Sequence, residues 1–261
     1  MSKRLLEVKG LTKAFGGVVA VSEVDFHLNQ GEIVAVIGPN GAGKTTLFNM
    51  ITGVLPPTSG QVFFDGKELT GKQPYQIAEA GITRTFQNLQ VFENMSVIEN
   101  VMTGVHCRLK TGFLQAGLRL MGVKKEEQQA FDIAMSCLEK VGIADLAFEP
   151  AEVLPYGNQR LLEIARASAS SPQLILLDEP MAGLNPQESR QLVDIIKKKR
   201  EEGMSFLFVE HDMETVMGIS DRIVVIDYGK KIAEGTPAEI YENEKVIAAY
   251  LGTEDDEEEA I

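Results

Sequence analysis

The run Gly38-Pro39-Asn40-Gly41-Ala42-Gly43-Lys44-Thr45 fits the pattern GxxxxGK[ST]. It stands directly after the apolar run Ile33 to Ile37 and directly before Thr46-Leu47-Phe48-Asn49-Met50-Ile51, which has helical character. A strand, a glycine-rich turn and a helix in that order aim successive backbone N–H groups and the positive helix end at one point. Such a point suits a polyphosphate, so the chain is expected to bind a nucleoside triphosphate. Lys44 would pair with β- and γ-phosphate oxygens, and Thr45 would offer its hydroxyl to Mg²⁺. Gly38, Gly41 and Gly43 let the backbone approach the phosphates without Cβ clashes. The competing reading is a glycine-rich turn with a surface lysine, which would not require the flanking strand and helix.

A phosphate loop alone hydrolyses nothing, so an acidic site at the end of a buried strand is needed as well. Leu174-Ile175-Leu176-Leu177-Asp178-Glu179 supplies one. Its apolar residues put both carboxylates at a strand's C-terminal end, the edge where open α/β sheets bind ligands. Asp178 can hold the Mg²⁺ hydration shell, and Glu179 can polarise a water toward the γ-phosphate. Phosphoryl transfer to water needs positioning and charge compensation more than covalent chemistry, so more residues must converge. Gln87 follows Arg84-Thr85-Phe86 at the end of a short strand-like stretch, where its amide could reach both metal and water. His211 follows Phe206-Leu207-Phe208-Val209-Glu210 at another strand end, where its imidazole could contact the γ-phosphate. Taken singly, Gln87 could equally be a surface glutamine and His211 a helix-capping residue.

The elements that must carry these groups can be read from periodicity. Residues 5–9, 23–28 and 61–65 alternate apolar and polar side chains as half-buried strands do, with Gly31 and Gly60 marking turns between them. They suggest an antiparallel β element beside the phosphate loop. Between about 88 and 165 the strand signals fade into a helical lobe, opened by the capping-box pattern Ser96-Val97-Ile98-Glu99. Residues 124–141 repeat apolar positions at helical spacing. From 173 the chain returns to strand, helix (187–202) and strand, which implies a parallel sheet covered on both faces. Residues 223–227 and 230–233 form a hairpin-like pair, and Thr236-Pro237-Ala238-Glu239 reads as a helix start.

At 261 residues, 44% hydrophobic and 24% charged, the chain can bury a sizeable core without staples. No apolar run approaches the roughly 18 residues needed to span a bilayer, and Leu5-Leu6 is too short for a secretory core. A cytoplasmic location is expected. Cys107 and Cys137 lack CxxC spacing, and the three histidines are scattered, so they read as ordinary reduced thiols rather than zinc ligands. The net charge of −13 disfavours a nucleic-acid partner. Glu254 to Glu259 is a continuous acidic run, expected to be a solvated, disordered tail over 253–261.

Gly38 to Thr45, Gln87, a helical lobe, Leu154-Pro155-Tyr156-Gly157-Asn158-Gln159-Arg160, Leu174 to Glu179, Ala182-Gly183-Leu184-Asn185 and His211 follow one another in this order. The arrangement resembles the ABC ATPase subunits of membrane transporters over nearly the whole chain. In that family these elements are the Walker A, Q-loop, signature, Walker B, D-loop and switch-histidine motifs. The resemblance implies an α/β P-loop NTPase core with a mainly parallel sheet, an antiparallel β subdomain and an inserted helical lobe, all within residues 1–252. It implies ATP and Mg²⁺ as cofactors. Phe15 matches the aromatic that stacks on adenine, though it could be a core aromatic, and Thr46 would support the α-phosphate. Pro39, Asn40 and Ala42 complete the loop around the phosphates. Lys44, Gln87, Glu179 and His211 would serve hydrolysis, with Thr45, Gln87 and Asp178 serving the metal.

Two departures stand out from the family's usual LSGGQ and SALD. Pro155 replaces the serine and Tyr156 the first glycine, which leaves the N–H groups of Gly157 and Asn158 at a helix start expected over 158–169. Gly157 is expected to carry most of the contact to an opposite subunit's nucleotide. In Ala182-Gly183-Leu184-Asn185, Asn185 could cap the next helix, contact a partner, or both.

Gly81-Ile82-Thr83-Arg84-Thr85-Phe86-Gln87-Asn88 and Ala248-Ala249-Tyr250-Leu251-Gly252 look like the ATPase subunits of bacterial branched-chain amino acid importers. The resemblance implies two such subunits, identical or paralogous, sandwiching ATP on the inner face of the cell membrane. It also implies permease subunits and, indirectly, a solute-binding protein. A groove near Gln87 with Phe86, Leu89 and Phe92 would take a short helix from the membrane subunits, unless those side chains are lobe core. The alternatives are urea, amide or lipid transport, or a mechanical ATPase acting without a transporter.

Overall fold

The computed structural model describes residues 3–85, 89–105 and 121–250, the first four of the last stretch by backbone alone. Phe86, Gln87, Cys107 and the acidic run Glu254 to Glu259 lie outside the described residues. In chain order the strands and helices begin with β1 (Arg4–Phe15), β2 (Val18–Asn29), β3 (Ile33–Ile37), α1 (Lys44–Ile51), β4 (Ser59–Phe64) and β5 (Lys67–Glu68). There follow α2 (Pro74–Ala80), β6 (Ile82–Arg84), α3 (Val97–Val105), α4 (Met121–Val141), α5 (Tyr156–Ala169) and β7 (Leu174–Asp178). The last are α6 (Pro186–Glu201), β8 (Ser205–Val209), α7 (Met213–Ile219), β9 (Arg222–Asp227), β10 (Lys230–Gly235) and α8 (Pro237–Tyr241).

Two sheets result. One is antiparallel, in the order β2-β1-β4-β5; the other has the order β10-β9-β3-β8-β7-β6. Its strands β9, β3, β8, β7 and β6 run parallel, and only β10 is antiparallel to its neighbour. Strands β3, β7 and β8 are buried along their whole length, as apolar runs without alternation require. Successive side chains still point to opposite faces. Ile33, Ala35, Ile37, Ile175, Leu177, Phe206 and Phe208 face a core filled by side chains of α3 to α7. Val34, Val36, Leu174, Leu176, Leu207 and Val209 face a second core shared with α1 and the antiparallel sheet.

The antiparallel strands run longer than alternation alone suggests. Register shifts interrupt the pairing of β1 with β2 at several points, and each shift breaks the period of two by which a strand is recognised. Gly60, expected at a turn, lies inside β4. A Cβ there would fall 2.3 Å from the Gly10 carbonyl oxygen, so the glycine permits a close approach of two strands. Helix α5 begins at Tyr156, two residues before the expected start, because Pro155 takes the cap position, where its missing N–H costs no intrahelical bond.

Three helix starts have the caps their sequences announce. Ser96 exchanges bonds with Glu99, and Thr236 does so with Glu239. The Asn185 Oδ1 accepts the N–H groups of Gln187 at 2.9 Å and Glu188 at 3.0 Å, while Glu188 accepts the Asn185 N–H at 2.9 Å. Asn185→Ala is therefore expected to cost about 1 kcal/mol, seen as a lower urea midpoint at unchanged m-value.

Candidate functional site

Because β3, β8, β7 and β6 are parallel, their C-terminal ends share one edge, and each end delivers a candidate residue. Strand β3 leads into the phosphate loop. Gly38 has φ +153, and a Cβ there would lie 1.9 Å from the Ile226 carbonyl oxygen; at Gly43, with φ +103, one would meet the Ala20 oxygen at 2.4 Å. Neither position has room for any other residue. Gly43 caps α1, whose first N–H groups at Lys44, Thr45 and Thr46 have no intrahelical acceptor. Pro39 and Ala42 are buried beneath the loop, while Asn40, Gly41 and Thr45 are exposed at its rim.

The Lys44 ammonium donates to the carbonyl oxygens of Gly38 at 2.7 Å and Pro39 at 2.9 Å. Burial lowers its pKa, opposed by the carboxylates of Glu179 and Asp178, which raise it. Phe15, half exposed, presents its ring beyond the loop with the Lys13 ammonium 5.2 Å from its centroid. It is not a core aromatic.

Strand β7 ends at Asp178, and the next residue, Glu179, turns left-handed at φ +48. Such a conformation costs a non-glycine residue roughly 1–3 kcal/mol and points to a constrained side chain. The Glu179 N–H is fixed on the Val209 carbonyl at 2.9 Å, and its Oε1 stands 3.1 Å from His211 Nε2. The helix cap at this strand end is Asp212, not His211, which leaves the imidazole to the site. Behind them the buried Glu210 carboxylate accepts the N–H groups of Met181 at 2.7 Å and His211 at 3.0 Å. Burial raises the Glu210 pKa, against the lowering effect of these backbone donors.

Arg84, at the end of β6, is a site residue that sequence reasoning passes over. Its Nη2 donates to Asp178 Oδ2 at 2.6 Å, with only 7% and 4% of the two side chains exposed. Its Nη1 donates to Asn49 Oδ1 at 2.6 Å and Thr52 Oγ1 at 3.3 Å, joining Asp178 to α1. The available signal was an arginine at the end of a short strand-like stretch, between Thr83 and Thr85. Gln87, three residues on, lies outside the described residues.

Gly157 and Asn158 lie far along the chain from the loop, in the first turn of α5. Gly157 is buried within its own chain: a Cβ would fall 2.4 Å from Glu188 Oε1. Its glycine thus has an internal reason, packing against the cap of α6. Tyr156 donates its hydroxyl to the Ala182 carbonyl at 3.1 Å and accepts from Arg160 Nη2 at 3.2 Å. Gly183 has φ +77, and a Cβ there would lie 3.0 Å from the Tyr156 ring. The two sequence departures at 156 and 183 are therefore complementary, a ring in one filling space vacated by the other.

The sheet order, the loop geometry and the acidic strand end together define a P-loop nucleotide-binding cassette. Residues 21–182 match the ABC transporter family, and residues 230–256 match the family described as branched-chain amino acid ATP-binding cassette transporter. The chain belongs to the ABC transporter family, as one of its nucleotide-binding ATPase chains. It is 46% identical over 253 residues to LivG of Escherichia coli K12, a high-affinity branched-chain amino acid transport ATP-binding protein, covering 97% of this chain and 99% of that one. It is 45% identical, with the same coverage, to BraF of Pseudomonas aeruginosa, which carries the same description. Among solved structures, an ATP-binding cassette of an ABC transporter in its ADP conformation matches with a TM-score of 0.84 at 32% identity, covering 96% of this chain and all of that one. A nucleotide-free cassette matches with a TM-score of 0.83 at 31% identity, covering 95% and 98%.

Removing Arg84 while leaving Asp178 strands a buried carboxylate. Arg84→Met is expected to destabilise the chain by about 3–5 kcal/mol in urea unfolding, because the surviving charge loses its buried partner. A loss below about 1 kcal/mol would show the pair to be of no structural weight.

Proposed function

We propose that this chain is the ATP-hydrolysing subunit of an importer for branched-chain or closely related amino acids. The observation that carries the proposal is the convergence of Lys44, Asp178, Glu179 and His211 on one sheet edge; the extent of likeness to LivG and BraF supports the solute class. ATP would lie with its phosphates on the Gly38 to Thr46 loop and its adenine on Phe15. Lys44 would exchange its carbonyl partners for β- and γ-phosphate oxygens.

Among the described residues no cluster of three or more His, Cys, Asp or Glu could hold a metal ion by itself. The donors present are the exposed Thr45 hydroxyl and the Asp178 carboxylate, whose Oδ2 is engaged by Arg84. This small set of hard oxygens fits Mg²⁺, which keeps most of its waters and takes one or two protein ligands plus phosphates. Thr45, Asp178 and Gln87 would hold it, and it would neutralise charge on the β- and γ-phosphates. Glu179, aimed by His211, would polarise the attacking water. The water oxygen would bond to the γ-phosphorus as one of its protons passes to Glu179, the bond to the bridging oxygen would break, and ADP and inorganic phosphate would depart.

The edge is open in the single chain, and the nucleotide would be closed in by a second copy or a paralogue through the N–H groups of its Gly157 and Asn158. With Glu188 against the Gly157 Cα, the contact would fall to these backbone donors alone. No described helix is long and apolar enough to cross a membrane. By its likeness to LivG and BraF the chain would act on the inner membrane face through permease subunits, which in turn receive solute from a binding protein. Their docking helix would enter a cleft of about 250 Å³ lined by Val54, Ile77, Ile82, Arg84, Glu163 and Arg166. Phe92, 50% exposed and not lobe core, has the Arg166 guanidinium 5.3 Å from its ring centroid and would extend this docking surface beside the cleft.

Glu179→Gln should lower steady-state ATP hydrolysis by ~10² or more while nucleotide binding persists. Undiminished turnover would remove Glu179 from the mechanism. Co-purification with polytopic membrane subunits would support transport, and a soluble nucleic-acid complex would contradict it.

A further inference from the structure

The consecutive residues Met181 and Ala182 are held from two sides by side chains that none of the roles above requires. On one side the Tyr156 hydroxyl, at the start of α5, donates to the Ala182 carbonyl oxygen at 3.1 Å. On the other, the Met181 N–H donates to Glu210 Oε1 at 2.7 Å, and the same carboxylate accepts the His211 N–H at 3.0 Å and the Asp212 N–H. His211 then meets Glu179 at 3.1 Å. Tyr156 is itself tied to Arg160, which is fully buried and ion-paired with Glu163 at 3.1 Å.

We propose that the Met181-Ala182 segment is a junction joining the signature start to the switch histidine within one chain, so that Tyr156 and Glu210 are positioning residues for ATP hydrolysis. This rests on the reading of Glu179 and His211 as the hydrolytic pair. The links differ in strength. Bonds to the Glu210 carboxylate are charge-assisted and buried, hence short and stiff, whereas the tyrosine bond is neutral and half exposed. A displacement of α5 would thus pull on the Ala182 carbonyl, pass along the backbone of Ala182 and Met181, and reach the carboxylate and backbone that aim His211. Glycine at 183 suits this ring position twice over, through its φ of +77 and because a Cβ there would crowd the ring at 3.0 Å. Contiguity alone does not establish coupling, which is measured by non-additivity.

The test is steady-state ATPase kinetics of the full chain with Tyr156→Phe, Glu210→Gln, the double variant and Glu179→Gln. Tyr156→Phe is expected to lower kcat about 3–10-fold and Glu210→Gln at least about 10-fold, with KM for ATP moving less than about 2-fold. The double variant should be no slower than Glu210→Gln alone. Two effects that multiply, or a Glu210→Gln chain of full activity, would overturn the junction even where Glu179→Gln is inactive. A fully active Glu179→Gln would instead overturn the catalytic reading on which the junction rests. Hydrogen exchange in Tyr156→Phe gives a readout independent of turnover. Faster exchange in residues 210–213 as well as 180–184 supports the junction, and a change confined to 180–184 contradicts it. Should Glu210→Gln not fold, Glu210→Asp, too short to reach both loops, takes its place under the same criteria.

Discussion

The parallel pairing of β3, β8, β7 and β6 is the constraint on which the site depends. Val36 pairs with Val209 and Asp178 with the same Val209, so the phosphate loop, the acidic pair and the switch histidine start from strand ends in register. A slip of one residue in any of these strands would turn its buried side chains to the other face. Strands β3, β7 and β8 each feed two cores, one toward the helices and one toward the antiparallel sheet, so such a slip would exchange their side chains between two differently packed cores. The placement of Lys44 against Asp178 and Glu179 therefore follows from apolar packing over a wide area, and no single contact at the edge has to enforce it.

Onto that frame the chain places charges that water would otherwise solvate. Asp178 is compensated by Arg84, Glu210 by backbone N–H groups, and Lys44 by loop carbonyls. The three solutions differ in what they leave available. The loop carbonyls hold Lys44 with neutral acceptors, which the phosphates of the proposed nucleotide would outcompete. The Arg84 bond is an ion pair and fixes one Asp178 oxygen. Glu210 is spent entirely on backbone, which makes it a strut. The result is a site whose anions are held by an ion pair and by backbone N–H groups and whose cation is held by neutral carbonyls.

Much of this was legible in the sequence because it is local. The phosphate loop is eight consecutive residues, the acidic pair ends an apolar run, and the caps at Ser96, Asn185 and Thr236 lie within four residues of their partners. What escaped is long-range. The Arg84–Asp178 pair spans 94 residues and the Tyr156–Ala182 bond 26, and neither has a spacing that periodicity can report. Tyr156 and Gly183 were visible only as two separate departures from a familiar pattern. Their complementarity needs the fold to bring the ring over the glycine. The extent of β1 and β2 was under-read for a related reason: bulges erase the alternation that defines a strand on paper.

The central claim is that one chain supplies the loop and hydrolytic pair while a partner closes the nucleotide with the start of α5. The most direct measurement is a structure of the Glu179→Gln chain with ATP and Mg²⁺. The γ-phosphate is expected within hydrogen-bond distance of Lys44 and His211 in one chain and of the Gly157 or Asn158 N–H of the other. A nucleotide bound by a single chain, or one whose γ-phosphate lies away from the Lys44 edge, would contradict the account.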